Sequence, residues 1–546
     1  MPSSNTASDD LLTDAVALRD ALRHGRVTAT KIATAVRERA VTVENPSSGP
    51  GLGAFVHIES AASVRDAATV LDALPAWARG RWHGLPLALK DLQEVAGLPT
   101  TQGSRVLAPD GPGSAPTTPA DDDVAALHRA HGALVFAKTQ VPEFGLNCYS
   151  ENLVGAPSRN PFDPECGSGG SSGGQAAAVA AGVLPAAVGS DGGGSIRIPA
   201  AACGLIGLKP SRGQVPVGDA LNDQAQLAVQ GPIARTPADA AMILDGLTAR
   251  VPSATDGNRL FRPTAAPGAH ATSDPWHNSD LDAVVGPPDG RFRTAIEDTS
   301  PAADVVRGAA AGRFPWGERP LRIGVSTASA FESAHPTPVS PEAMSALATG
   351  IDALRAAGHS VQEADLRFDP RYPEAFFALW TTSLGTAPLT GEQEGLLTGL
   401  AKHYRHAALE RSAAELAVAI RTLREIEKAT IQAWDAYDVI LTPALAQTPR
   451  PLGWWWEGFD PADPASAAQD YERQCRYTPF TSLINVVGLP AVVLPTTWER
   501  SEFSESRVPM GVQLIGRPGA DVGLLALAEQ VRGQLDVGLP ASVSTS

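Results

Sequence analysis

The chain has 546 residues, 43% hydrophobic and 19% charged, which is ordinary for a globular protein and enough to bury a large core. Its net charge of −16 argues against nucleic acid or an anionic membrane as the main partner, because both require a basic face. Four cysteines (Cys148, Cys166, Cys203, Cys475) show neither a CxxC pair nor zinc spacing, so they read as free thiols of a reducing, cytoplasmic compartment.

The N-terminus "MPSSNTASDD" has no basic and apolar leader pattern, and no apolar run reaches transmembrane length. Residues 10–40 carry apolar residues at helical spacing in two bursts. The break falls at "HGRVTAT", where Thr28 or Thr30 caps the second helix. A third helix fits 61–74. The pattern then changes. "LPLALK" (85–90), "ALVFAKT" (133–139) and "LPAAVGS" (184–190) are short apolar runs bounded by turns, and they read as buried strands. A helix over 176–182 lies among them, and this alternation predicts an α/β fold with a largely covered sheet. Residues 252–318 are rich in Pro, Gly, Ser and Asp and read as a surface excursion, partly mobile. Strands follow at 321–326, 437–444, 489–495 and 511–518, with helices near 341–357 and across 407–436. The tail beyond about residue 537 reads as frayed.

Two glycine-rich loops carry the functional argument. The first is "GSGGSSGG" (167–174), immediately before an alanine-rich helix. It lacks the Gly-Lys-Ser/Thr of a phosphate-binding loop. A GxGxxG match starting at Gly167 fails at Ser172, and one starting at Gly192 fails at Arg197. Gly169 to Gly173 does satisfy GxSxG, but that elbow needs an acid and then a histidine downstream. The later histidines lie in the excursion or on polar helix faces.

The second loop, "GSDGGGS" (189–195), starts where the strand 184–190 ends. Backbone amides of such a turn converge on one point, which an oxyanion requires, and Ser195 can reach the same point. With no suitable histidine, the base for Ser195 must be a lysine or a carboxylate. Lys90 ends an apolar strand; burial would lower its pKa and leave an amine able to accept a proton. A serine of the first loop can pass the proton between them, since a hydroxyl both donates and accepts. Ser171 and Ser172 are both placed to do so. Lys138 and Lys209 also follow apolar runs and are rival bases.

Together, "GLPLALKDLQEVAGLPTTQGS" (84–104), "GSGGSSGGQAAAVAAG" (167–182) and "GSDGGGSIRIPAAACGLIGLKPSRG" (189–213) resemble the amidase signature family. Further likeness runs through 132–145, 229–245, 437–444, 483–495 and 511–518, so most of the chain is covered. The resemblance implies a central mixed β-sheet covered by helices on both faces. It implies one amidase domain over 1–546: an N-terminal helical segment (1–80), the signature core (84–250), the insertion (252–318) and a C-terminal part completing sheet and pocket (319–536).

It also implies a Ser-Ser-Lys triad, with Lys90 as base, Ser171 as bridging serine after a cis Gly170–Ser171 bond, and Ser195 as nucleophile. Gly192, Gly193, Gly194 and Ser195 would supply the oxyanion amides. Asp191 and Arg197 would brace that loop, and Ser172 would hydrogen-bond within its own. Gly192 stands where family members often carry a larger residue. The segment 143–152 aligns with a pocket-lining stretch, so Leu146 and Cys148 are candidates for substrate contact. The "GWWWEGF" run (453–459) offers Trp455 as an aromatic rim for an apolar or aryl substrate. The expected activity is hydrolysis of a small-molecule amide, extending to esters or carbamates, with no metal or organic cofactor, by a monomer or homodimer. The alternatives are an amidotransferase-type subunit, against which "QAQLAVQGP" (224–232) speaks, and a catalytically silent assembly subunit.

Overall fold

Asp14 and Thr28 open the first two helices, α1 (Ala15–Arg23) and α2 (Ala29–Glu44). Each side chain accepts a hydrogen bond from the backbone three residues on. The cap of α2 is therefore Thr28. Thr30 instead donates to Asp72, at the end of α3 (Ala61–Asp72), over 2.7 Å. The computed structural model describes residues 11–215, 226–249, 301–458 and 466–535, with 223, 460 and 463.

Helices α2 and α3 pack on a small sheet of β1 (Phe55–Ile58), β2 (Pro86–Lys90) and β3 (Leu134–Thr139), ordered β1-β3-β2. Strands β2 and β3 run parallel, joined by a crossover that includes α4 (Asp123–Ala130). A hairpin, β4 (Arg159–Asn160) and β5 (Asp163–Gly167), leads into the first glycine loop and then α5 (Gly173–Ala180). All eight residues of α5 are buried. A Cβ at Gly174 would lie 2.4 Å from the Ala54 carbonyl oxygen, so glycine lets this helix sit directly on the chain entering β1.

The large sheet holds eight strands: β6 (Ala186–Asp191), β7 (Ile206–Lys209), β8 (Val229–Ala234), β9 (Arg322–Val325), β10 (Ser360–Glu363), β11 (Val439–Pro443), β12 (Ala491–Arg500) and β13 (Arg507–Ile515). Their order is β10-β9-β11-β13-β12-β7-β8-β6. The pairings β10–β9 and β9–β11 are parallel and the others antiparallel, so the sheet is mixed. Strands β8 and β11 are buried at every residue. Successive side chains point to opposite faces, so both faces must be covered by helices.

Those helices begin with α6 (Arg197–Ala202), α7 (Pro237–Thr248), α8 (Pro301–Ala310) and α9 (Pro341–Ala356). A second layer follows: α10 (Tyr372–Thr386), α11 (Gly391–Gly395), α12 (Gly399–Glu410), α13 (Ala413–Ala433), α14 (Ala467–Tyr477) and α15 (Ser482–Val487). Finally α16 (Asp521–Arg532) packs against α7, α8 and β12. The expected excursion over 252–318 needs correction at its end. Residues 252–300 lie outside the described residues, but α8 buries Ala302, Ala303 and Val306, and Asp245 accepts the Ala302 amide at 3.2 Å. No helix among the described residues is long and apolar enough to cross a membrane.

Candidate active site

Lys90 leaves the small sheet at the end of β2 and points into the gap between the two glycine loops. It is 1% exposed. Its ammonium or amine nitrogen lies 2.7 Å from Ser171 Oγ and 2.8 Å from Ser190 Oγ, with the Ser190 carbonyl at 3.4 Å. Among the described residues, no carboxylate touches it. Burial lowers its pKa to about 7, and the more distant Asp191 charge opposes that shift. A substantial share of the amine is therefore uncharged at neutral pH.

Ser171 follows the cis Gly170–Ser171 bond and is buried. The adjacent Ser172 donates its backbone N–H to the Ser195 carbonyl over 3.2 Å, which ties the first loop to the second. No hydrogen bond joins the hydroxyls of Ser171 and Ser195 among the described residues.

The second loop turns sharply after β6. Asp191 organises it: Oδ1 accepts the Gly194 amide at 2.7 Å, and Oδ2 accepts the Ile196 amide at 3.2 Å. Arg197 meets the same carboxylate from two nitrogens, at 2.9 and 3.0 Å. Burial alone would raise the Asp191 pKa, but the Arg197 guanidinium outweighs it and holds the carboxyl well below the usual range. Gly194 adopts φ +130°, and a Cβ there would meet Thr481 Oγ1 at 2.5 Å, so only glycine fits. The Gly194 assignment as an oxyanion donor needs correction: its N–H is already engaged by Asp191. The amides of Gly192, Gly193 and Ser195 are left as candidates.

Ser195 is 7% exposed and opens on a small cavity of about 50 Å³. Leu146 and Cys148 line this cavity. Trp455 does not, and the aromatic-rim reading is corrected. The three tryptophans form a short 3₁₀ turn, in which Trp455 is buried and stacks on Tyr149 with ring centroids 4.6 Å apart. The rival lysines are elsewhere. Lys138 pairs with Asp91 at 2.9 Å, and Lys209 donates to the Pro210 carbonyl at 2.9 Å.

Three residues escaped the sequence reading. Ser190 is the second hydroxyl on Lys90. Asn485 accepts from Arg197 at 2.6 Å and donates to the Asp191 carbonyl at 2.8 Å. Gln513 accepts from Arg197 at 2.7 Å and donates to the Phe480 carbonyl at 2.9 Å. The available signal was a lone polar side chain inside an otherwise apolar run, "LINVVGLP" and "GVQLIGRP". Such a residue, once buried, must find partners.

The molecule is thus an α/β protein: a mixed sheet clad in helices, with a buried lysine between two serine-bearing glycine loops. The Amidase family model matches residues 46–277 and 296–525, and the chain belongs to that family. It is 30% identical over 504 residues to a Synechocystis protein named "Putative amidase", covering 90% of this chain and 83% of that one. AmiC of Mycobacterium leprae, named in the same way, is 30% identical over 94% of this chain and 93% of its own. Among solved structures, 6-aminohexanoate cyclic dimer hydrolase superposes with a TM-score of 0.74 at 24% identity, covering 97% of this chain and 98% of that one. A bacterial aryl acylamidase of the amidase signature family gives 0.69 at 21%, covering 95% and 96%. Those two likenesses establish the shared fold.

Proposed function

We propose that this protein hydrolyses the C–N bond of a small-molecule amide through Ser195, Ser171 and Lys90. The observation that carries the reading is a buried amine with a pKa near neutrality, 2.7 Å from one loop serine hydroxyl, with no carboxylate of the described residues in contact with it. Ser195 Oγ attacks the amide carbonyl carbon while its proton passes to Ser171 and the Ser171 proton passes to Lys90 Nζ. The carbonyl oxygen becomes an oxyanion stabilised by the amides of Gly192, Gly193 and Ser195. When the C–N bond breaks, the relay runs in reverse and protonates the leaving nitrogen. Water then attacks the acyl-Ser195 ester by the same relay, releasing the carboxylic acid and restoring Ser195. The Asp191–Arg197–Asn485–Gln513 cluster holds the loop in place and does not enter the proton path.

Esters and carbamates fit the same scheme, because the oxyanion amides contact only the carbonyl oxygen. A fluorophosphonate probe followed by peptide mapping tests the reading. A stoichiometric adduct on Ser195, lost in Lys90→Ala, is expected. Absence of any adduct at high reagent concentration would favour a non-catalytic subunit instead.

A further inference from the structure

Gly192 and Gly193 face an indole. A Cβ on Gly192 would lie 3.5 Å from Trp380 Cζ3, and one on Gly193 would lie 3.3 Å from Trp380 Cη2. The ring therefore lies against the loop whose amides are assigned to the oxyanion. It is fixed there from behind. Tyr372, Phe376 and Trp380 recur every four residues along one face of α10, and their rings stack at 5.6 and 5.5 Å between centroids. Phe331 meets Phe376 edge-on at 5.9 Å, and the Tyr372 hydroxyl is anchored to Ser482 Oγ at 2.8 Å.

The cavity floored by Ser195 and Gly193 is walled by Phe331, Phe376, Trp380, Tyr404 and Tyr471. None of its lining residues is an acid or a base of ordinary strength. Burial holds the thiols of Cys148 and Cys475 protonated, the latter up to about 12, and raises both tyrosine phenols above their usual range. A carboxylate or ammonium entering here would lose its hydration and meet no counter-charge. A flat uncharged ring would bury its area and stack.

We infer that Trp380 is a specificity-determining residue that selects amides carrying an uncharged aromatic group beside the scissile bond. The inference rests on the hydrolytic reading above and names its substrate class. Gly192 is its structural condition. A methyl group would just clear the indole, whereas a longer side chain at 192 would enter the volume the ring occupies.

The test compares neutral benzamides with aliphatic amides of matched leaving group. The aryl-to-aliphatic ratio of kcat/KM should fall at least about tenfold in Trp380→Ala and in Gly192→Leu, the scale on which one lost apolar contact discriminates. Trp380→Phe should retain most of the ratio. A ratio that does not fall in Trp380→Ala overturns the inference, even where overall activity drops. Calorimetry on the Ser195→Ala variant separates this from failure of the chemistry. Benzamide should bind it more tightly than isobutyramide, and the preference should vanish in Ser195→Ala/Trp380→Ala. Equal binding of the two amides to Ser195→Ala overturns the aromatic wall whatever the labelling of Ser195 shows.

Discussion

Lys90 and Lys138 leave neighbouring strands of the same small sheet, both fully buried, and have opposite surroundings. Lys138 lies 2.9 Å from Asp91 Oδ1 and 2.8 Å from Thr100 Oγ1. Lys90 meets two serine hydroxyls and a carbonyl. The strand register explains the difference. Leu89 pairs with Lys138, so Lys138 shares its face with Leu89 and with Asp91 two residues further on. Lys90, between them in sequence, points the other way. The carboxylate next to Lys90 in the chain is thus assigned to another lysine. Burial without a counter-ion yields a proton acceptor, whereas burial with one yields a structural ion pair.

The comparison breaks most visibly at Lys90. Lys90→Ala should lower kcat/KM for any amide substrate by about 10²–10⁴-fold, the usual contribution of a general base, while circular dichroism and thermal melting remain near wild type. A variant that melts early and keeps its rate would reverse the roles of the two lysines. Lys138→Ala should do the opposite. It strands the buried Asp91 carboxylate, and urea unfolding should report a loss of about 3–5 kcal/mol, with the folded fraction still labelled at Ser195.

The pH profile sharpens the same contrast. Lys90 accepts a proton only when uncharged, so kcat/KM should rise with pH and reach half its plateau near pH 7. Below that point it should fall about tenfold per unit, as one essential proton binds. Asp191, held far below the usual carboxylate range, adds no inflection above pH 4. Ser190→Ala removes one neutral hydrogen bond from Lys90 and should cost about fivefold in kcat/KM, equivalent to about 1 kcal/mol. The smallest effect belongs to Trp455→Phe: a loss of about 1 kcal/mol in stability, as for a core swap, with KM unchanged across bulky and small amides.

Much of this was legible in the chain. The seven strands expected from short apolar runs all form, because a strand buried on both faces needs an unbroken apolar run and little else. The strands that were missed are of another kind. Strand β10 (SVQE) is mostly exposed, β7 (IGLK) is only four residues long, and β8 (VQGPIA), though buried throughout, is interrupted by Gln230, Gly231 and Pro232, so none reads as a long unbroken apolar run. Of the site, Lys90, Ser171, Ser195, Asp191 and Arg197 lie inside two quoted loops and one strand end. Asn485 and Gln513 come from segments about 290 and 320 residues beyond Asp191, and no local pattern links them to it.

The sequence by itself determined the longer apolar strands, the glycine loops and the residue types a Ser-Ser-Lys relay needs, because those are local matters of periodicity and backbone freedom. The tertiary structure alone decided which buried lysine lies against the serines of the two loops, which loop amide is already engaged by Asp191, and which tryptophan reaches the cavity. Each of those is a question of which groups far apart in the chain share one buried volume. Burial is where an absent partner or an adjacent ring changes a pKa, a hydrogen bond or a binding preference most.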